Sequence, residues 1–237
     1  MPLLRPYRVL IGLASLAALA GCAHAPAELV LTADGWHEVA LPGKPRTVYA
    51  AARKDGRECT SAVSERSASM WRRRVNVATP ALGEVHFSWW VQDLVEGGNV
   101  AEASNADSPA RVMFAFDGDV RSLPARTRAL FDLAEALTGE RPPYATLVYV
   151  WDAKAPVGSV IINPRSDRIR KIVVDSGTAH LGRWRDHRRN LAADFQLAFG
   201  EAPGAVKAVA FMTDSDNTAS NARSWYGPVS FVPTAYR

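Results

Sequence analysis

The stretch "EVHFSWWV", residues 84–91, decides the fold. Val85, Phe87, Trp89 and Val91 fall on one side of an extended chain, and His86, Ser88 and Trp90 on the other. A period of two is what a half-buried strand requires, because successive side chains point to opposite faces. The same alternation recurs in "ARVMFAFDG" (110–118), through Val112, Phe114 and Phe116, and in "ATLVYVW" (145–151), through Leu147, Tyr149 and Trp151. Further strand-like runs cover residues 46–53, 69–77, 158–163, 168–177, 205–213 and 227–232. Turn sequences such as "LPGKP", "KDG", "EGGN", "FDGD" and "EAPG" separate them. Many short strands so spaced predict an antiparallel β-sandwich or jelly roll.

Two segments read as short helices within that β framework. Residues 124–139 start at Pro124 and stop at Gly139, with Leu130, Leu133, Ala134 and Leu137 as the apolar stripe expected to face the core. Residues 188–200 carry Leu191, Phe195 and Phe199 at four-residue spacing and stop at Gly200.

The N-terminus points to export. Arg5 and Arg8 precede an apolar stretch from Val9 to Ala20, the layout of a signal peptide. That stretch is too short to span a bilayer, which takes about 20 apolar residues. It ends in Leu19-Ala20-Gly21-Cys22, which resembles the bacterial lipobox; the resemblance implies cleavage before Cys22 and lipidation of its thiol. Ala23 follows the cysteine, which implies sorting to the outer membrane, facing the periplasm. The chain then divides into a signal peptide (1–21), a lipidated N-terminus and tether (22–33) and one domain (34–237).

Charge and cysteine content narrow the function. The formal charge of +4 comes from 28 basic and 24 acidic residues; removing Arg5 and Arg8 leaves 26 − 24 = +2. That small excess, on an exported chain, argues against a nucleic-acid partner. With Cys22 committed to lipid, Cys59 has no partner for an intrachain disulfide and reads as a small buried residue.

Several segments together carry a family resemblance. "SASMWRR", "HFSWWV", "DSPARVMFAFDG", "LVYVW", "WRDHRRNLAADFQLAFG" and "MTDSDNTASNARSWYG" occur in that order and resemble a bacterial exported family known as domain of unknown function 3047, over about residues 34–233. The resemblance implies fold and location and carries no activity or catalytic residue. A looser likeness to galactose-binding-like sandwiches agrees with the strand pattern.

Three places hold candidate chemistry. In "TDSDNTASN" (213–221), Asp214, Asp216 and Asn217 supply oxygens of the kind that calcium takes, six to eight at a time. A polar turn and a ligand-contacting loop are the other readings of the same residues. Trp90 and His86 share the face opposite Phe87 and Trp89; with Trp225, Tyr226 and Asn221 they are the candidate ligand contacts, rings for stacking on a sugar and polar groups for its hydroxyls. Core packing of Trp90 is the alternative. Asp175, Ser176, His180 and His187 are the residue types of a hydrolase triad, but triads are defined by geometry, and no G-x-S-x-G elbow is present. No His/Cys spacing suggests zinc.

The sequence therefore favours a non-catalytic, lipid-anchored envelope protein that binds saccharide or envelope polymer, with calcium as the one cofactor to test. The alternatives are a hydrolase of envelope glycan or ester bonds, and an assembly lipoprotein whose arginines (Arg72, Arg73, Arg74, Arg183, Arg185, Arg188, Arg189) dock a protein partner.

Overall fold

The computed structural model describes residues 27–233; residues 1–26, among them Cys22 and the segment read as a signal peptide, and residues 234–237 lie outside that range. Fourteen strands run in chain order: β1 (Leu29–Leu31), β2 (Trp36–Ala40), β3 (Val48–Lys54), β4 (Arg57–Glu65), β5 (Ser69–Val77), β6 (Glu84–Val91), β7 (Ser108–Phe116), β8 (Ala145–Asp152), β9 (Val160–Asn163), β10 (Ser166–Ser176), β11 (Trp184–Asn190), β12 (Val206–Asp214), β13 (Asn221–Tyr226) and β14 (Val229–Val232). Helix α1 (Ala125–Thr138) links β7 to β8, and α2 (Leu191–Phe199) links β11 to β12.

The strands form two facing sheets of seven. Sheet I runs β1-β14-β6-β13-β4-β3, with β11 on the other edge of β6. Here β13 and β14 act as one long strand broken at Gly227-Pro228: Tyr226 pairs with Trp89, and Ser230 pairs with His86. A Cβ on Gly227 would collide with the Ser88 hydroxyl, so this close approach requires glycine. Sheet II runs β2-β5-β12-β7-β8-β10-β9, antiparallel except for the parallel pair β8–β10. The expected antiparallel sandwich is thus the fold, with one parallel pairing in it.

The alternation in "EVHFSWWV" does what the periodicity predicts. Val85, Phe87, Trp89 and Val91 point between the sheets, against Phe114, Tyr149 and Trp151 of sheet II. Burial of such large rings supplies most of the driving force for closing the two layers. Cys59 is half-buried, with its thiol against the Ala52 carbonyl, and burial raises its pKa.

The helices differ from each other. In α2, Asn190 caps the start by accepting from Ala193 N at 2.9 Å, and Leu191, Phe195 and Ala198 enter the core. In α1 only Phe131 is buried. Its leucine stripe, expected to face the core, instead faces outward: Leu130, Leu133 and Leu137 are 50%, 55% and 75% exposed. Phe131 lies about 100° around the helix from Leu130 and makes the inward contact, which leaves the three leucines uncovered among the described residues.

Candidate functional site

The outer face of sheet I is assembled by three paired strands and a hairpin. Trp184, Asp186 and Arg188 of β11 lie beside Trp90, Ser88 and His86 of β6. Trp225 of β13 pairs with Trp90 from the other side. The β3–β4 hairpin turns at Asp55-Gly56, both with positive φ (49° and 81°), as a two-residue type I′ connection demands. Its tip folds across the face and lands on β11. Trp184 Nε1 donates to the Lys54 carbonyl at 3.1 Å, and the Arg57 guanidinium donates to both Asp186 oxygens at 2.6 and 3.2 Å. The Lys54 ammonium sits 3.9 Å over the Trp90 ring and 4.9 Å from the Trp225 ring.

Beside this tip lies a cleft of about 600 Å³, bounded by Arg57, Glu58, His86, Ser88, Asp186 and Arg188. The sequence candidates distribute unevenly around it. His86 lines the cleft, with Nε2 3.2 Å from Glu84. Trp90 faces outward in register with His86, yet is only 8% exposed beneath Lys54 and edge-on to Trp225. Its indole N–H has no acceptor among the described residues. Trp225 is half-buried beside it. Asn221 is exposed on the same strand, four residues from Trp225 and so roughly 13 Å away.

Tyr226 corrects an expectation. It is 1% exposed, stacks on Phe211 at 4.5 Å and donates to the Met212 carbonyl at 2.8 Å. Being next to Trp225 on a strand sends it to the opposite face, into the core. Burial pushes its phenol well above the ordinary range. Trp184 and Asp186 were not among the sequence candidates, because "WRDHRRN" is charged on both faces of its strand and hides its alternation; Arg57 was missed because only the hairpin fold brings it to β11.

The Asp loop lies at the far end of the sandwich. Asp214 ends β12, and the turn after it brings Asp216 alongside. The third carboxylate is Asp107, just before β7, and one oxygen from each of the three lies within 4.8 Å of the others. The Asn217 amide donates to the Ala103 carbonyl at 3.1 Å, beside the three carboxylates, and Asp107 is the one the sequence reading did not include. Asp107 Oδ2 accepts from Thr218 N and Oγ1 at 2.7 and 2.8 Å. Its Oδ1 is buried with no partner among the described residues, in a side chain 2% exposed. Asp214 accepts from Ser108 N at 3.1 Å and pairs with Arg111 at 3.0 Å, while Lys44 pairs with Asp216. Burial lifts the Asp214 carboxyl to about 7 against the pull of Arg111. An all-oxygen set with one idle buried oxygen is chemistry a hard cation accepts.

Of the triad-like residues, Asp175 and His187 belong to a structural network, which neither Ser176 nor His180 joins among the described residues. Asp175 Oδ2 accepts from Trp89 Nε1 at 2.8 Å and from His187 Nε2 at 2.9 Å, and Arg185 reaches Oδ1 at 3.0 Å. Burial alone would raise the Asp175 carboxyl; the bonds from His187 and Trp89 and the Arg185 charge bring it net below the usual range. No serine or cysteine hydrogen-bonds to His187 among the described residues, so this pair has no adjacent nucleophile.

A second hollow, of about 680 Å³, crosses the outer face of sheet II. Its floor is small and apolar, with Ala208 and Ala210 of β12 beside Met113 and Ala115 of β7. Arg72 closes one rim by donating to both Glu140 oxygens at 2.9 Å.

This geometry defines a β-sandwich with a cleft on the outer face of each sheet, polar-lined on sheet I and apolar-floored on sheet II. The chain belongs to the family described as "Protein of unknown function (DUF3047)", which it matches over residues 34–230. No curated protein matches it. Among solved structures it is similar to the family 11 carbohydrate-binding module from Clostridium thermocellum in complex with a β-1,3-1,4-mixed-linked tetrasaccharide: 9% identity, TM-score 0.45, 89% of this chain and 98% of that one. The family 11 module of the cellulosomal cellulase Lic26A-Cel5E of the same organism gives 8%, 0.44, 89% and 97%. The glycoside hydrolase domain of Endo-D from Streptococcus pneumoniae R6 gives 9% and 0.36, over 85% of this chain and 22% of that one. Likeness at this level carries nothing about ligands, and what those proteins bind remains their own property.

Proposed function

We propose that this chain is a lipid-anchored envelope protein that binds a glycan, without catalysis, in the cleft on the outer face of sheet I. The observation that carries the reading is the composition of that cleft. Hydroxyl, imidazole, carboxylate and guanidinium groups of Ser88, His86, Asp186 and Arg188 converge beside the Trp184–Trp90–Trp225 row. Directed polar groups of this kind bind sugar hydroxyls, while the Trp90 and Trp184 rings lie under Lys54 and Arg57 as the backing of the site.

The test is a titration of residues 23–237 with muropeptides, lipopolysaccharide oligosaccharides and an arrayed glycan library. At least one glycan is expected to bind, and Asp186→Ala and His86→Ala are each expected to weaken it about tenfold or more, the loss of roughly one charge-assisted hydrogen bond. Both side chains are partly exposed, so the melting temperature is expected to hold. Binding that is indifferent to both substitutions would place the ligand elsewhere.

The anchor rests on the "LAGC" sequence and on Cys22. In the same reading, the Asp107, Asp214 and Asp216 carboxylates hold a divalent cation that ties the loop after β12 to the start of β7.

A further inference from the structure

We infer that the helical end of the sandwich is a membrane-contact surface, with the leucine stripe of α1 and Leu197 of α2 seated in the headgroup layer of a phospholipid bilayer. The inference rests on the proposed anchoring at Cys22 and adds to it a face and an orientation.

The strand register puts the relevant pieces at one end. Phe116, where β7 stops, pairs with Val206, where β12 begins, and with Ala145, where β8 begins. Helix α1 therefore leaves and returns at that end. In sheet I, Glu84 at the start of β6 pairs with Asn190 at the end of β11 and with Val232 at the end of β14. Helix α2 runs from Asn190 to β12, and its Phe195 ring stands 4.5 Å from that of Phe116, so both sheets present the same end here. Leu29, the first residue of β1, pairs with Phe231, one residue from Val232. The chain thus enters the domain at the end that carries the helices.

That location limits what can cover the helices. Seven peptide steps separate Cys22 from Leu29 (29 − 22), which reach at most about 25 Å fully extended. A lipid on Cys22 holds this end, and not the opposite end with the Asp loop, within one short span of the bilayer. On the same end Leu130, Leu133 and Leu137 are 50%, 55% and 75% exposed, Leu197 is 63% exposed and Leu29 45%. Three leucines in one stripe of a helix whose inward contact is Phe131 form an uncovered apolar face. An amphipathic helix of this kind lies in the interface plane, and its apolar side chains add to the hold of a lipid chain. Among the described residues no helix is long and apolar enough to cross a membrane, so the contact is interfacial.

The test uses unlipidated residues 23–237, which contain every described element, and vesicles of phosphatidylethanolamine and phosphatidylglycerol (7:3). Cosedimentation is expected, and Leu133→Glu/Leu137→Glu is expected to lower the bound fraction at least tenfold with an unchanged melting temperature. Val157→Glu serves as the control, since Val157 is 64% exposed but follows β8 at the opposite end. Absence of vesicle binding overturns the inference, as does equal loss in the control. A leucine-dependent dimer that ignores vesicles also overturns it, in favour of a second copy on this face. Palmitate labelling of the full chain against Cys22→Ala tests the anchor separately, so the two readings fail independently.

Discussion

Asp175→Ala is expected to lower the melting temperature by about 6–20 °C. The carboxylate is the single acceptor shared by the Trp89 indole, the His187 imidazole and the Arg185 guanidinium. Removing one partner of a buried ionic network costs roughly 3–5 kcal/mol, because the other groups stay buried and unpaired. For a domain of this size each kcal/mol moves the midpoint by about 2–4 °C. Asp175→Asn keeps one acceptor oxygen and is expected to lose less. The pH dependence has a definite sign. The folded Asp175 carboxyl lies below its ordinary value, so its contribution is present above the unfolded pKa of about 3.9. It is lost as pH falls through the folded value. Calorimetry of the wild type and Asp175→Asn from pH 7 downward should show the gap between them closing in acid. A constant gap would mean that the carboxylate charge is not what holds the network.

Calcium is expected to raise the melting temperature by about 5–11 °C over EDTA when present near 100 times its dissociation constant, where linkage supplies roughly 2.7 kcal/mol. Asp107→Asn is the informative variant, because it alters the carboxylate whose Oδ1 has no partner and leaves the Arg111–Asp214 and Lys44–Asp216 pairs in place. It should abolish the shift. An equal melting temperature in calcium, magnesium and EDTA would make the cluster a metal-free loop closed by Arg111 and Lys44.

Much of the fold was legible because its strands alternate. In β6, β7 and β8 the larger apolar side chains fall at every second position and point between the sheets, so the alternation survives in the bare sequence even though β8 is buried at every position. β11 escaped because Trp184, Asp186 and Arg188 face outward while Arg185, His187 and Arg189 face inward, where acids meet them: Asp175 for Arg185 and His187, Asp194 for Arg189. Periodicity showed α1 as amphipathic but not which side would dock; one phenylalanine decided it. The same parity that placed Trp90 and His86 together should have separated Tyr226 from Trp225. Asp107 lies 107 positions before Asp214 (214 − 107), and only strand pairing between β7 and β12 brings them together. Local spacing has no access to such a contact.

The position of the last strands has a consequence for the life of the chain before it is folded. β12 lies between β5 and β7 in sheet II, and the β13–β14 strand lies between β6 and the strands β4 and β1 in sheet I. A polypeptide that has emerged only as far as residue 204 holds β2-β5 and β7-β8-β10-β9 of sheet II and β3-β4 and β6-β11 of sheet I as separate pieces. The pairings that join them, such as β12 with β7, are distant in sequence and slow to form. Closure waits for the final thirty or so residues, and the strands they carry join the separate pieces of both layers at once.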